Sequence, residues 1–299
     1  MIREALSSLA RNDAVAQAVG RLPGARSVVG RVVAGESLPD ALAVATDLAD
    51  EGFWLCLEHT EHGDQPEQAR DDLAALIDAV AASEVAPIAQ ISIRPEVLGV
   101  RSDQVLANVD AAVAHARRNG LAVAVGAAAV VDQADLRAWF EEQAAPDLTV
   151  TYAAALRRTE ADCAAAADLG RGSVRLVKGG QDVAGAAYRQ PIEVDKSYIR
   201  SAKHLLRATG EPSFATHDPR LVEILQTLAR RYDRPAQSYE FAFYLGRMAG
   251  LQERLVAGGE RVRLYVPFGP AWFERLVGGL AEQRSSLGSA VRSLLPGAS

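Results

Sequence analysis

The feature that most constrains this chain is an alternation, from Phe53 onward, of short apolar runs with longer amphipathic ones. The short runs are Phe53–Leu57, Ile88–Ile93, Leu121–Val125, Leu148–Tyr152, Ser173–Lys178, Ser213–Thr216, Tyr239–Phe243 and Arg261–Val266, and each reads as a strand. Between them, Pro66–Ala82, Ser102–Asn119, Asp132–Gln143, Thr159–Leu169, Tyr198–Ala208, Pro219–Tyr232 and Met248–Ala257 space their apolar residues as helices do. Strands joined by helical crossovers pair in parallel, and about eight of them close a (β/α)8 barrel. An open doubly wound sheet is the competing architecture. No Gly-x-Gly-x-x-Gly follows the first strand, where a dinucleotide fold would carry it.

Before this rhythm, Ile2 to Val19 reads as a helix. A second follows Gly35, with Ser37 as its N-cap and Leu38, Ala41, Leu42 and Ala45 as its apolar stripe. Beyond Gly269, about Ala271 to Gln283 and Leu287 to Leu295 are expected to be helical. The expectation is one α/β domain over 1–299, with N-terminal helices about 1–50 and C-terminal helices about 270–296. The segments Gly170 to Gly185 and Gln190 to Lys196 are expected to be its most mobile parts.

Composition narrows the function. A net charge of -6 argues against nucleic acid as a partner. Cys56 and Cys163 are the only cysteines, which leaves no disulfide framework and no thiolate zinc site, and both read as small core residues. The longest apolar run, Leu121 to Val131, falls short of the ~20 residues of a membrane helix. The mixed-charge start does not resemble a signal peptide, so a soluble cytoplasmic protein is expected.

In a barrel the chemistry lies at the carboxyl ends of the strands. Read in order, those ends are Glu58 with His59, Arg94, Gly126, Ala153, Lys178 with Gly179, His217 with Asp218, Glu240, and Tyr265. The fifth run, Ser173 to Gly180, turns Arg175 inward and ends in Lys178, Gly179 and Gly180, a cationic strand end with bare backbone. Such an end suits an anionic cofactor. Glu58-His59-Thr60-Glu61-His62 invites a metal reading, but no third convergent ligand is identifiable and no metal is expected. Asp218 before Pro219 reads as an N-cap. Tyr244 and Tyr265 read equally as core or rim aromatics.

Four stretches then stand in one order: Arg175-Leu-Val-Lys178-Gly179, Phe214-Ala-Thr216-His217-Asp218-Pro219-Arg220, Tyr239-Glu240-Phe241, and Arg263-Leu-Tyr265-Val-Pro267-Phe-Gly269. In these the chain resembles the proline dehydrogenase family, in its small monofunctional bacterial form, from Val33 to Leu294. The resemblance implies a distorted (β/α)8 barrel that binds FAD and oxidises L-proline to pyrroline-5-carboxylate. It implies cofactor contacts at Arg175 (beside the flavin N5), Lys178, Gly179, Gly180, Thr216 and His217, and catalytic roles for Arg175 and Tyr265.

The departures from the family pattern lie around the substrate. Gly278 and Gly279 stand where a pair of arginines would clamp the proline carboxylate, although Glu282 is kept. Arg94 replaces a lysine, Gly126 an aspartate, Ala153 to Ala155 a Gln-x-Tyr, and Gln181 a tyrosine. Charge-assisted bonds contribute roughly 1.5–3 kcal/mol each. Losing two weakens proline binding by on the order of a hundredfold or more. Arg94, Gln181, Tyr244, Tyr265, Arg275, Gly278 and Gly279 would line the altered pocket. The expectation is an FAD-dependent oxidoreductase acting on a C–N or related bond of a small molecule other than L-proline. The alternatives are a non-catalytic barrel kept for binding or partner contact, and a proline dehydrogenase with relocated carboxylate ligands.

Overall fold

A computed structural model describes residues 32–60, 65–127, 133–179 and 186–271. Helix α1 (Leu38–Asp50) leads into β1 (Trp54–His59), α2 (Pro66–Ala81), β2 (Ala89–Ile93), α3 (Ser102–Arg118), β3 (Ala122–Val125), α4 (Gln133–Gln143) and β4 (Leu148–Ala153). Then follow α5 (Thr159–Leu169), β5 (Ser173–Val177), α6 (Pro191–Arg207), β6 (Ser213–Ala215), α7 (Pro219–Arg231), β7 (Glu240–Tyr244), α8 (Ala249–Ala257) and β8 (Arg261–Phe268). The eight strands pair in chain order and close, with Trp54 of β1 opposite Arg263 of β8 and His59 opposite Phe268. Every pair is parallel, so the alternation of strand and helix forms the (β/α)8 barrel it predicts.

Successive side chains of a strand face opposite ways, and here the two faces differ in chemistry. One parity, with Leu55, Leu57, Ile91, Ile93, Val123, Val125, Leu176, Phe214 and Phe241, packs outward against apolar helix residues such as Ile77, Val109 and Leu225. Burying each such side chain contributes about 1.5–3 kcal/mol relative to exposure. The other parity points into the barrel and includes Cys56, Glu58, Gln90, Ser92, Thr149, Arg175, Glu240 and Arg263, all buried. The apolar core therefore lies between sheet and helices. The barrel's own interior is a polar network.

The caps follow local chemistry. The Ser37 hydroxyl accepts from the Asp40 N–H at 3.3 Å at the start of α1, and the Asp218 carboxylate accepts from the Arg220 N–H at 3.1 Å at the start of α7. Pro219 occupies the first turn of α7, where its missing N–H costs nothing. Gly170, at φ 62°, ends α5 in the left-handed conformation and turns the chain toward β5.

Some boundaries differ from the sequence reading. The Gln190 to Lys196 segment, expected to be a mobile loop, is largely the first turns of α6, which begins at Pro191. Proline at a helix start is preorganised for it, and this outweighs the polar run Glu193, Asp195, Lys196. Of the segment Gly170 to Gly185, Ser173–Val177 is β5, and 180–185 lie outside the described residues. Strand β8 continues past Val266 through Pro267, whose carbonyl accepts from the Ala34 N–H at 2.9 Å. The helices expected over 2–19, 272–283 and 287–295 also lie outside the described residues.

Candidate active site at the carboxyl ends of the strands

At the base of the barrel, Arg263 donates from Nε to both carboxylate oxygens of Glu240, at 2.9 Å each. Its Nη1 donates to the carbonyls of Leu55 at 2.7 Å and Ile88 at 3.3 Å. Burial pushes the Glu240 carboxyl up, but Arg263, with Arg175 behind it, more than reverses this and holds it below its ordinary value. The sequence reading set Glu240 at a strand end facing the mouth. It instead opens β7, and its carboxylate belongs to the closure of the barrel.

Toward the mouth lies Arg175, 1% exposed. Its Nη2 donates to Gln90 Oε1 at 2.7 Å, and its Nη1 donates to Tyr265 Oη at 2.9 Å and faces Cys56 Sγ at 3.8 Å. The guanidinium carbon stands 4.7 Å from the centre of the Tyr265 ring. Gln90 is held in turn by Thr149, its Nε2 donating to Oγ1 at 2.9 Å. Tyr265 Oη also bonds Ser92 Oγ at 2.9 Å, and Ser92 donates to Glu58 Oε2 at 2.9 Å. Burial opposes the Arg175 charge, yet Tyr265, Cys56 and Glu240 hold it firmly protonated. Burial also lifts the Tyr265 phenol well above its ordinary value. Arg175 makes no ion pair with a carboxylate of the described residues, and its buried Nε has no acceptor.

The rim is different. Lys178 Nζ lies 2.7 Å from Asp195 of α6 and 3.3 Å from Asp218, so its charge is matched twice. Arg220 also grips Asp218, which is held at about 2, first by that bond and further by Lys178. Gly179 is open, with nothing within 4 Å of where a Cβ would stand. Thr216 is buried, and its Oγ1 accepts from the Asp218 N–H at 3.1 Å. His217 Nε2 accepts from the Tyr244 N–H at 3.1 Å, and the two rings stack 5.8 Å apart at 13°. Tyr244 in turn lies 5.5 Å from Tyr265. Arg94 is bonded to Glu96 at 3.2 Å. At Gly126 a Cβ would meet only Ile93 O at 3.4 Å and Pro95 Cδ at 3.7 Å, so the absence of a side chain there is not forced by packing.

The structure thus brings Arg175, Tyr265, Tyr244 and His217 into one cluster, with Lys178, Gly179 and Thr216 on the adjoining strand ends, while Arg94 is bonded to Glu96. Gly180, Gln181, Arg275, Gly278 and Gly279 lie outside the described residues. The sequence reading passed over Gln90, Ser92 and Asp195. Gln90 and Ser92 alternate with Ile91 and Ile93, and that parity was the available signal for an inward pair. Asp195 gave no such signal, since its partner Lys178 is brought to it by the fold.

The described residues fit a flavin unevenly. A buried cation with an unpartnered Nε suits an electron-rich ring that carries charge when reduced. Lys178 suits a phosphate only by exchange with an aspartate partner.

Comparison with known proteins agrees with the barrel fold. The Deinococcus radiodurans protein "Proline dehydrogenase" is 28% identical over 283 residues, covering 89% of this chain and 90% of the relative. The Bacillus subtilis protein "Proline dehydrogenase 1" is 23% identical over 311 residues, covering 99% of both. Among solved structures, proline utilization A from Bdellovibrio bacteriovorus, inactivated by N-propargylglycine, superposes with a TM-score of 0.79 at 17% identity. The same protein from Corynebacterium freiburgense gives 0.73 at 15% identity. These two share the fold over 95% and 94% of this chain, which spans only 36% and 32% of theirs. The family model described as proline dehydrogenase matches residues 55–272, from the first strand of the barrel to just past the last, and by that match the chain belongs to the proline dehydrogenase family.

Proposed function

We propose that this chain is an FAD-dependent oxidoreductase acting on a C–N or related bond of a small molecule other than L-proline, in the cytoplasm. The observation that carries the flavin part is Arg175, a buried guanidinium without a carboxylate partner at the floor of the mouth of a proline dehydrogenase-type barrel. A buried charge with no ion pair is costly even when hydrogen-bonded, and such groups cluster where a ligand makes use of them. Bound FAD would supply the two-electron acceptor. Arg175 would stand against its ring, with Lys178, Gly179, Gly180, Thr216 and His217 along the rest of the cofactor. Tyr265 and Tyr244 would border the substrate, with Arg94, Gln181, Arg275, Gly278 and Gly279 completing the pocket.

The substrate part rests on the glycines at 278 and 279. It is supported by Arg94, one of two arginines, with Arg275, that could take over a carboxylate; Arg94 is bonded to Glu96. The purified protein tests both parts. It should be yellow, with a flavin absorbance band that secondary amines bleach and L-proline does not. Bleaching by L-proline would instead establish a proline dehydrogenase with relocated carboxylate ligands. A second reading, a barrel kept for binding alone, is favoured by the double neutralisation of Lys178 and is met if the protein is colourless and ignores added FAD.

A further inference from the structure

Glu58 Oε2, Ser92 Oγ, Tyr265 Oη and Arg175 Nη1 form an unbroken line of hydrogen bonds, each 2.9 Å long. The two ends of this line fix the direction of every proton within it. A carboxylate can only accept, so the one proton of Ser92 is committed to Glu58. Ser92 can therefore meet Tyr265 only as an acceptor, and the one proton of the phenol is committed to Ser92. At the other end a guanidinium can only donate, so Arg175 fills one acceptor position of Tyr265 Oη and asks for no proton. Tyr265 is left with an acceptor position and nothing to donate. Glu58 and Ser92 are 1% and 4% exposed, so bulk water does not scramble the order, whereas Tyr265 is only partly buried and borders the mouth beside Tyr244.

We propose that Glu58 and Ser92 are positioning residues that fix the hydrogen-bond polarity of Tyr265, so that this mouth selects ligands presenting an N–H donor over isosteres presenting a lone pair. The inference rests on the proposed function for the mouth being the substrate site, and it narrows the substrate class to N–H donors. A mismatched ligand sets lone pair against lone pair and forfeits a bond at a partly desolvated site.

Pyrrole and furan are the probes: rings of one size, both uncharged, one donating N–H and the other presenting only oxygen. Their affinities for the full chain as purified are compared by ligand-observed NMR titration. Pyrrole is expected to bind about tenfold more tightly than furan, the worth of one hydrogen bond. In Ser92→Ala the phenol proton is released to turn toward the mouth, and the preference should fall to within about twofold. In Tyr265→Phe it should vanish. Equal binding by the wild type, or a preference for furan, overturns the proposal even if no variant folds. A pyrrole preference that survives Ser92→Ala or Tyr265→Phe overturns it as well. Colourless protein that keeps the preference would sink the flavin reading and leave this one standing, and yellow protein without it would do the reverse.

Discussion

Packing sets the charge of His217. Burial, with Arg247 adding to it, pushes its pKa down to about 4, and the neutral ring accepts from the Tyr244 N–H. Between about 4 and the ordinary value of 6.5 the unfolded chain binds a proton that the fold does not. The stability from neutral His217 is therefore present above the ordinary value and is lost as pH falls, amounting at most to about 3 kcal/mol. Denaturant melts should show the wild type losing stability from pH 6.5 to 4.5 more steeply than His217→Gln, which keeps an acceptor but does not titrate; parallel slopes would remove His217 from this role. Arg175 allows a second prediction. Without the guanidinium, the buried Gln90 Oε1 and the Tyr265 Oη lose their donor, and a buried acceptor left unmet costs about 1–3 kcal/mol. Arg175→Met should therefore melt below the wild type by about that much without cofactor, and retain flavin more weakly through dialysis. Unchanged retention would take Arg175 out of the flavin site. That Arg175 faces inward was legible, because Val174 and Leu176 claim the outward parity. Its partners were not legible, because Gln90 and Tyr265 stand on strands far away in sequence.

Among the elements, the turn after β8 demands a glycine. Gly269 sits at φ 113°, and a Cβ there would lie 2.8 Å from both the Thr60 carbonyl oxygen and the His59 ring. Around it, the Thr60 N–H and hydroxyl both donate to the Phe268 carbonyl, and the Ala271 N–H donates to the Thr60 carbonyl, sewing the end of β8 to the end of β1. Gly269→Ala should cost on the order of 2–4 kcal/mol from strain and displacement of this seam. A lowered denaturant midpoint at unchanged slope would show it, and an unchanged midpoint would mean the turn relaxes freely. The start of α7 was readable because Asp218-Pro219 is a local signal. The start of α6 was less so, since Pro191 follows Gln190, whose side chain makes no cap, and its polar first turns look like loop.

Over the whole molecule, the barrel is closed at its base by one ion pair that touches four strand regions. Glu240 and Arg263 span β7 and β8, and Arg263 also holds the carbonyls of Leu55 in β1 and of Ile88 just before β2. Breaking a buried pair leaves an unmatched charge and typically costs 3–5 kcal/mol. Glu240→Gln should lower stability by about that much, and adding Arg263→Met should recover part of the loss. A double variant no more stable than Glu240→Gln would show that the carbonyl bonds, and not the charge match, carry the effect. By itself the sequence determined the number, order and parallel pairing of the strands, because each follows from a hydrophobic period read over a few residues. It also carried the family motifs. Only closure of the sheet decided which inward side chains meet. Glu58, Gln90, Ser92, Arg175 and Tyr265 come from strands up to 207 residues apart (Glu58 to Tyr265, 265 − 58), and no local pattern can say which of them will share a proton.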